Sequence, residues 1–251
     1  MKKDVIRYFS DRLNRTMKIA IYGEGGIPVL AFPTQNGSCL DLEEHGMIDT
    51  LGKWIEEGQM QVYCVETVDS ESWLNTNGDK GRRTWLQEQY YHFIVDEVIR
   101  YINKKSSSKM APLVTGFSMG ATHAAIVFLR RPELFSGLLA ISGIYSSEEY
   151  FGTWMDGRLY DSTPTVFLSN MPTSHAYIPL YNNKRIIFCS GQGAFEDEQV
   201  RTLKELEEIF RAKGIRAACD YWGFDVTHDW YWWKKMVMYH MPQFLPDQDD
   251  E

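Results

Sequence analysis

Apolar residues along the chain fall into short runs of period two and longer runs of period three to four, in alternation. Residues 15–22 (RTMKIAIY) alternate, with Met17, Ile19 and Ile21 on one face, and predict a strand. A glycine turn at 23–26 separates it from 27–32 (IPVLAF), a continuous apolar run of the kind found in strands buried on both faces of a parallel sheet. Further strands are predicted at 61–65, 111–117, 137–142, 185–189 and 216–222. Between them lie helical patterns at 41–57, with Asp41 as a candidate N-cap, and at 84–105, 119–131, 198–213 and 229–244.

Strand and helix therefore alternate, which predicts an α/β fold with a mostly parallel central sheet and helices on both faces. The segment 145–183 departs from the pattern. It is rich in Tyr and Pro with one possible strand at 165–169, and it reads as an excursion on one rim of the sheet, too short for a core of its own. The chain has 251 residues, a length that one α/β domain can fill, so a single domain over 1–251 is expected. Whether the excursion serves as a lid, a partner surface or a contact between copies stays open.

Composition narrows the function. Lys plus Arg number 26 against 34 Asp plus Glu, a net charge of −8 that argues against nucleic-acid binding. The basic pairs Lys104–Lys105 and Arg130–Arg131 read as helix C-termini. The four cysteines (Cys39, Cys64, Cys189 and Cys219) form no CxxC pair, so neither a zinc site nor a redox motif is expected. No secretory signal and no membrane-length apolar run is read, and a reducing cytoplasm is the expected compartment. The acidic tail 247–251 reads as a solvated end.

The sharpest chemical signal is Gly116-Phe117-Ser118-Met119-Gly120, a G-x-S-x-G running out of one predicted strand and into a helix. Three fixed positions at about 7% each would match by chance on the order of 0.1 times in a chain this long. The strand–turn–helix setting supplies the context the motif requires. Small residues on either side of the serine let strand and helix pass closely, while the helix N-terminus brings free N–H groups beside its hydroxyl.

With this motif, the stretches FPTQNGS (32–38), VYCVETVDSESW (62–73), GQGAFEDE (191–198) and YWGFDVTHDWYWW (221–233) make the chain resemble the α/β-hydrolase superfamily, in its esterase-D-like "putative esterase" branch. The resemblance is strongest to a bacterial subgroup of that branch. It implies a serine hydrolase that uses no cofactor and no metal and acts on a small-molecule ester. An acyltransferase with the same residues, or a non-catalytic binding module on the same fold, is the alternative.

A serine hydroxyl needs a base to take its proton. Of six histidines, His228 alone lies in the loop between the last strand and the last helix, where the family carries its catalytic histidine. The triad acid is expected after the 185–189 strand, where Glu196, Asp197 and Glu198 crowd a helix start. The family's Q-G-x-x-acid pattern lands on Glu196, and a one-residue shift would give Asp197. Either gives the order serine, acid, histidine of α/β-hydrolases. Met119 is expected to give one oxyanion N–H, and Thr34 or Gln35 the other. Trp222, Trp230, Trp232 and Trp233 around His228 read chiefly as packing, with a substrate wall as the alternative, and Asp69, Glu71 and Trp73 either line the site's rim or cap a loop.

Overall fold

The computed structural model describes residues 1–246; the acidic tail lies outside them. Eight strands form one sheet: β1 (Lys3–Ser10), β2 (Arg15–Tyr22), β3 (Ile27–Phe32), β4 (Met60–Val65), β5 (Leu113–Phe117), β6 (Gly137–Ile141), β7 (Arg185–Ser190) and β8 (Ala218–Tyr221). Their spatial order is β1-β2-β4-β3-β5-β6-β7-β8, antiparallel from β1 to β4 and parallel from β4 to β8. The predicted α/β-hydrolase architecture is the observed one.

Period two along the buried strands divides the core. Leu30, Phe32, Val114, Leu138 and Ala140 face one layer, and Val29, Ala31, Leu113, Leu139 and Ile141 face the other. Helices α1 (Asp41–Glu44), α2 (Met47–Thr50) and α3 (Gly52–Glu56) follow β3. Helix α4 (Lys80–His92) continues through a π-helical turn at Phe93–Val98 into α5 (Ile99–Lys105). Helix α6 (Met119–Arg130) follows β5, α7 (Glu148–Phe151), α8 (Gly157–Asp161), α9 (Pro164–Ser169) and α10 (Tyr177–Asn182) make up the excursion, α11 (Asp197–Lys213) follows β7, and α12 (Trp230–His240) follows β8.

One strand is added and three expectations are corrected. Strand β1 was absent from the periodicity, because most of its residues are exposed at the sheet edge. The 41–57 helix is three short pieces, broken first at Gly46, which adopts φ 71°. Asp41 is not an N-cap; that position is Leu40, and the buried Asp41 carboxylate instead accepts the Thr34 N–H and hydroxyl at 2.8 and 3.0 Å. The segment 165–169 is helical rather than extended, since Pro164 occupies the first turn, where its missing N–H costs nothing. All four cysteines are free thiols. No helix among the described residues is long and apolar enough to cross a membrane.

Candidate active site

The carboxyl ends of β5, β6, β7 and β8 converge at one rim of the sheet, where open α/β sheets bind ligands. Ser118 follows β5 with φ 54° and ψ −124°, a conformation costing on the order of 1–3 kcal/mol for a non-glycine residue. The turn is held from both sides: Ser118 N–H donates to Ile141 O of β6 at 3.0 Å, and its carbonyl accepts the Ala121 N–H at 2.9 Å. The flanking glycines are sterically required. A Cβ at Gly116 would lie 2.2 Å from Gly120 O, and one at Gly120 would lie 2.2 Å from Pro33 O and 2.6 Å from Phe32 O.

Those contacts are to backbone on both sides, so neither neighbour can yield as a flexible side chain would. Gly120→Ala is therefore expected to destabilise the fold by about 3 kcal/mol, lowering Tm by roughly 6–12 °C. It should also displace the loop after β3, whose Gln35 lines the site. Thermal melts of the purified variant measure this directly; an unchanged Tm would show that helix and strand can separate freely.

Two loops bring the remaining groups to Ser118. The β7–α11 and β8–α12 loops are laced together: Gly193 N–H donates to Val226 O at 2.8 Å, His228 N–H to Ala194 O at 3.1 Å, and Trp222 N–H to Ser190 O at 2.9 Å. Gly191 and Gly193 permit this approach, since a Cβ on either would come within 2.7 Å of Val226 O. The lacing sets His228 beside Ser118, with Nε2 2.8 Å from the hydroxyl oxygen. On the other side of the ring, Nδ1 is 3.2 Å from Glu196 Oε1. In this conformation the Nδ1–H points off that oxygen, short of a well-aligned hydrogen bond; such bonds commonly tighten only when substrate binds.

Glu196 is fully buried. An uncompensated carboxylate there would be costly, and two hydroxyls offset the cost: Ser142 Oγ donates at 2.6 Å and Ser190 Oγ at 2.9 Å. Ser142 reaches it by taking φ 57° at the end of β6, so β5 and β6 both end in a left-handed serine. Asp197, the alternative acid, is exposed as the first residue of α11. Asp225 is exposed, and the Asp229 carboxylate caps α12 by accepting the Tyr231 and Trp232 N–H groups, so neither partners His228.

Of the oxyanion candidates, Thr34 donates its N–H to Asp41. The N–H groups of Gln35 and Met119 have no hydrogen-bond partner among the described residues, and both residues line the cavity over Ser118.

That cavity measures about 600 Å³. Trp230 and Trp233 form one wall, and they also pack: Trp233 meets the His228 ring edge-on at 4.8 Å, and Trp230 stacks on His45 at 4.6 Å. Trp230 and Trp233 thus pack and line the cavity at once, whereas Trp222 and Trp232 lie outside the lining. The excursion supplies a second wall through Glu149 and Tyr150. It is docked on α4, where Arg83 donates to Tyr150 O at 3.0 Å and Lys80 to Phe151 O at 3.0 Å. Phe195 sits at the lip, 83% exposed with φ 66°. Of the rim candidates, Glu71 pairs with Arg15 at the surface, while Trp73 and Asp69 are buried.

Sequence reading missed Ser142, Ser190 and Phe195. No local pattern marks them, because their roles depend on which strand ends meet. It also found no metal-ligand spacing. Among the described residues, Cys189, Asp220 and His240 bring donor atoms within 4.8 Å of one another, outside the Ser118 cavity. Burial pushes the Cys189 thiol up and His240 down, the latter against the pull of the Asp220 carboxylate 3.1 Å from its ring.

No curated protein matches the chain. Solved structures with this fold include an S-formylglutathione hydrolase from Agrobacterium tumefaciens (TM-score 0.74, 17% identity, 96% of this chain and 93% of that one). They also include the fluorophosphonate-binding serine hydrolase F of Staphylococcus aureus (TM-score 0.73, 13% identity, 98% and 99%). A third is a ferulic acid esterase from Anaeromyces mucronatus (TM-score 0.68, 13% identity, 93% and 86%). Residues 10–244, nearly the whole chain, match the model of the family described as "Putative esterase", and the chain belongs to this family of α/β-hydrolase enzymes.

Proposed function

We propose that the protein hydrolyses carboxylic esters through Ser118, His228 and Glu196. The observation that carries this reading is the 2.8 Å contact between His228 Nε2 and the Ser118 hydroxyl, on a strained turn that opens into the cavity. His228 takes the hydroxyl proton as Ser118 Oγ attacks the ester carbonyl. The negative charge that develops on the carbonyl oxygen is met by the N–H groups of Met119 and Gln35, each worth about 2.7–4 kcal/mol in sites of this type. His228 then gives its proton to the departing alcohol, leaving an acyl group on Ser118. Water activated by the same imidazole releases the acid. Glu196 holds the ring tautomer and stabilises the imidazolium. The chemistry draws on no cofactor.

A panel of p-nitrophenyl esters of two to eight carbons, assayed with and without a competing alcohol, tests the reading. Free acid as the main product is expected in both conditions, with the preferred chain length sizing the cavity. Transfer of most acyl groups to the alcohol would make the enzyme an acyltransferase. Absence of turnover across the panel, in folded protein, would count against ester hydrolysis.

A further inference from the structure

The loop after β3 offers three successive N–H groups, and only the middle one is free. Thr34 N–H is bound to Asp41 at 2.8 Å, and Asn36 N–H to Asp69 Oδ2 at 3.3 Å. Between them, Gln35 N–H has no partner among the described residues. Within the loop the Gly37 N–H donates to Thr34 O at 2.9 Å, with Asn36 at φ 55°. The second oxygen of Asp69, Oδ1, accepts a hydrogen bond from His123 Nε2 at 2.8 Å. The Asp69 and His123 side chains are 0% and 1% exposed. His123 lies one turn beyond Met119 on α6, and its ring stacks on Phe32, the last residue of β3, at 5.7 Å.

One buried carboxyl group therefore ties the loop that carries Gln35 to the helix that starts at Met119. A buried His–Asp pair is an expensive way to fill space, because apolar residues of similar volume usually serve stability as well or better. What the pair adds is a fixed distance between two separate elements. We propose that Asp69, oriented by His123, is a positioning residue that holds the Gln35 N–H in register with the Met119 N–H, so that both meet the same developing oxyanion. This rests on the Ser118 mechanism proposed above. Neither residue touches substrate; both act through the loop.

The expected signature is a loss confined to the transition state. Asp69→Asn preserves shape but replaces one acceptor oxygen with a donor, so it cannot accept from both Asn36 and His123. It should lower kcat for p-nitrophenyl acetate by about 30–100-fold, with KM within threefold. The affinity for a phenylboronic acid, which forms a tetrahedral adduct on the serine, should weaken by the same factor as kcat/KM. His123→Leu should behave alike. His123→Gln, which keeps a donor, should recover activity to within about fivefold of wild type. Rates are expressed per active site titrated with a fluorophosphonate, so that unfolded protein does not count. If Asp69→Asn does not fold, the His123→Leu and His123→Gln pair carries the test. Wild-type kcat per titrated site, or reduced kcat with unchanged boronate affinity, would overturn the proposal. Should Ser118→Ala prove as active as wild type, the failure would lie in the Ser118 mechanism itself.

Discussion

Ser118→Ala and His228→Ala are each expected to lower kcat by about 10⁴- to 10⁶-fold on any ester the wild type turns over. The two side chains are 2.8 Å apart and in the proposed mechanism act as one unit: without the base the hydroxyl is a poor nucleophile, and without the hydroxyl the base has nothing to activate. Their losses should therefore not add. The double variant should fall within about tenfold of either single one, and the residual rate should reflect binding and the N–H groups of Met119 and Gln35. Ser118 is a small side chain lining the cavity, so Tm of its variant should change little, whereas truncating His228, which packs edge-on against Trp233, should lower Tm modestly. Steady-state kinetics with circular dichroism melts check this. A double variant weakened by the product of the single losses would mean that the residues contribute independently, which the proposed mechanism does not allow.

Glu196→Gln should lower kcat by about 10³- to 10⁴-fold, whereas Asp197→Asn should leave it within threefold. The amide preserves volume at a fully buried position. It cannot, however, stabilise an imidazolium, and one of its ends can no longer accept from Ser142 or Ser190. Asp197 is exposed at the start of α11, so its loss removes only a favourable charge near the helix N-terminus, worth about 0.3–1 kcal/mol of stability. Kinetics of both variants on one substrate decide between the two acids. The reverse ranking would mean that the β7–α11 loop shifts by a residue when the enzyme works.

Much of this architecture was legible in the sequence for a physical reason. Strands buried on both faces, such as β3 with no exposed residue, must be apolar throughout, and that leaves an unmistakable run. The turn at Ser118 was equally legible, since its glycines answer steric demands that any strand–helix elbow makes. Strand β1 is hidden because only Ile6, Tyr8 and Ser10 turn inward, while Val5 and Phe9 on the exposed face are apolar too and blur the alternation. The break at Gly46 was hidden because Met47, Ile48, Leu51 and Ile55 keep helical spacing across the short pieces that follow. Within the site, consecutive acids at a helix start look alike in sequence; burial separates them, placing Glu196 inside and Asp197 outside. The supports of the site, Ser142 on Glu196 and His123 on Asp69, each join residues 54 positions apart, a relation set by strand order that no local spacing encodes.

The central claim, that Ser118 is the activated nucleophile, is tested most directly by a fluorophosphonate probe, which phosphonylates an activated serine with loss of fluoride. Wild-type protein is expected to take up one equivalent, with the adduct on the peptide containing Ser118 by mass spectrometry, and Ser118→Ala or His228→Ala to take up essentially none in the same time. Folded wild-type protein that stays unlabelled, or an adduct on any other residue, would contradict the account.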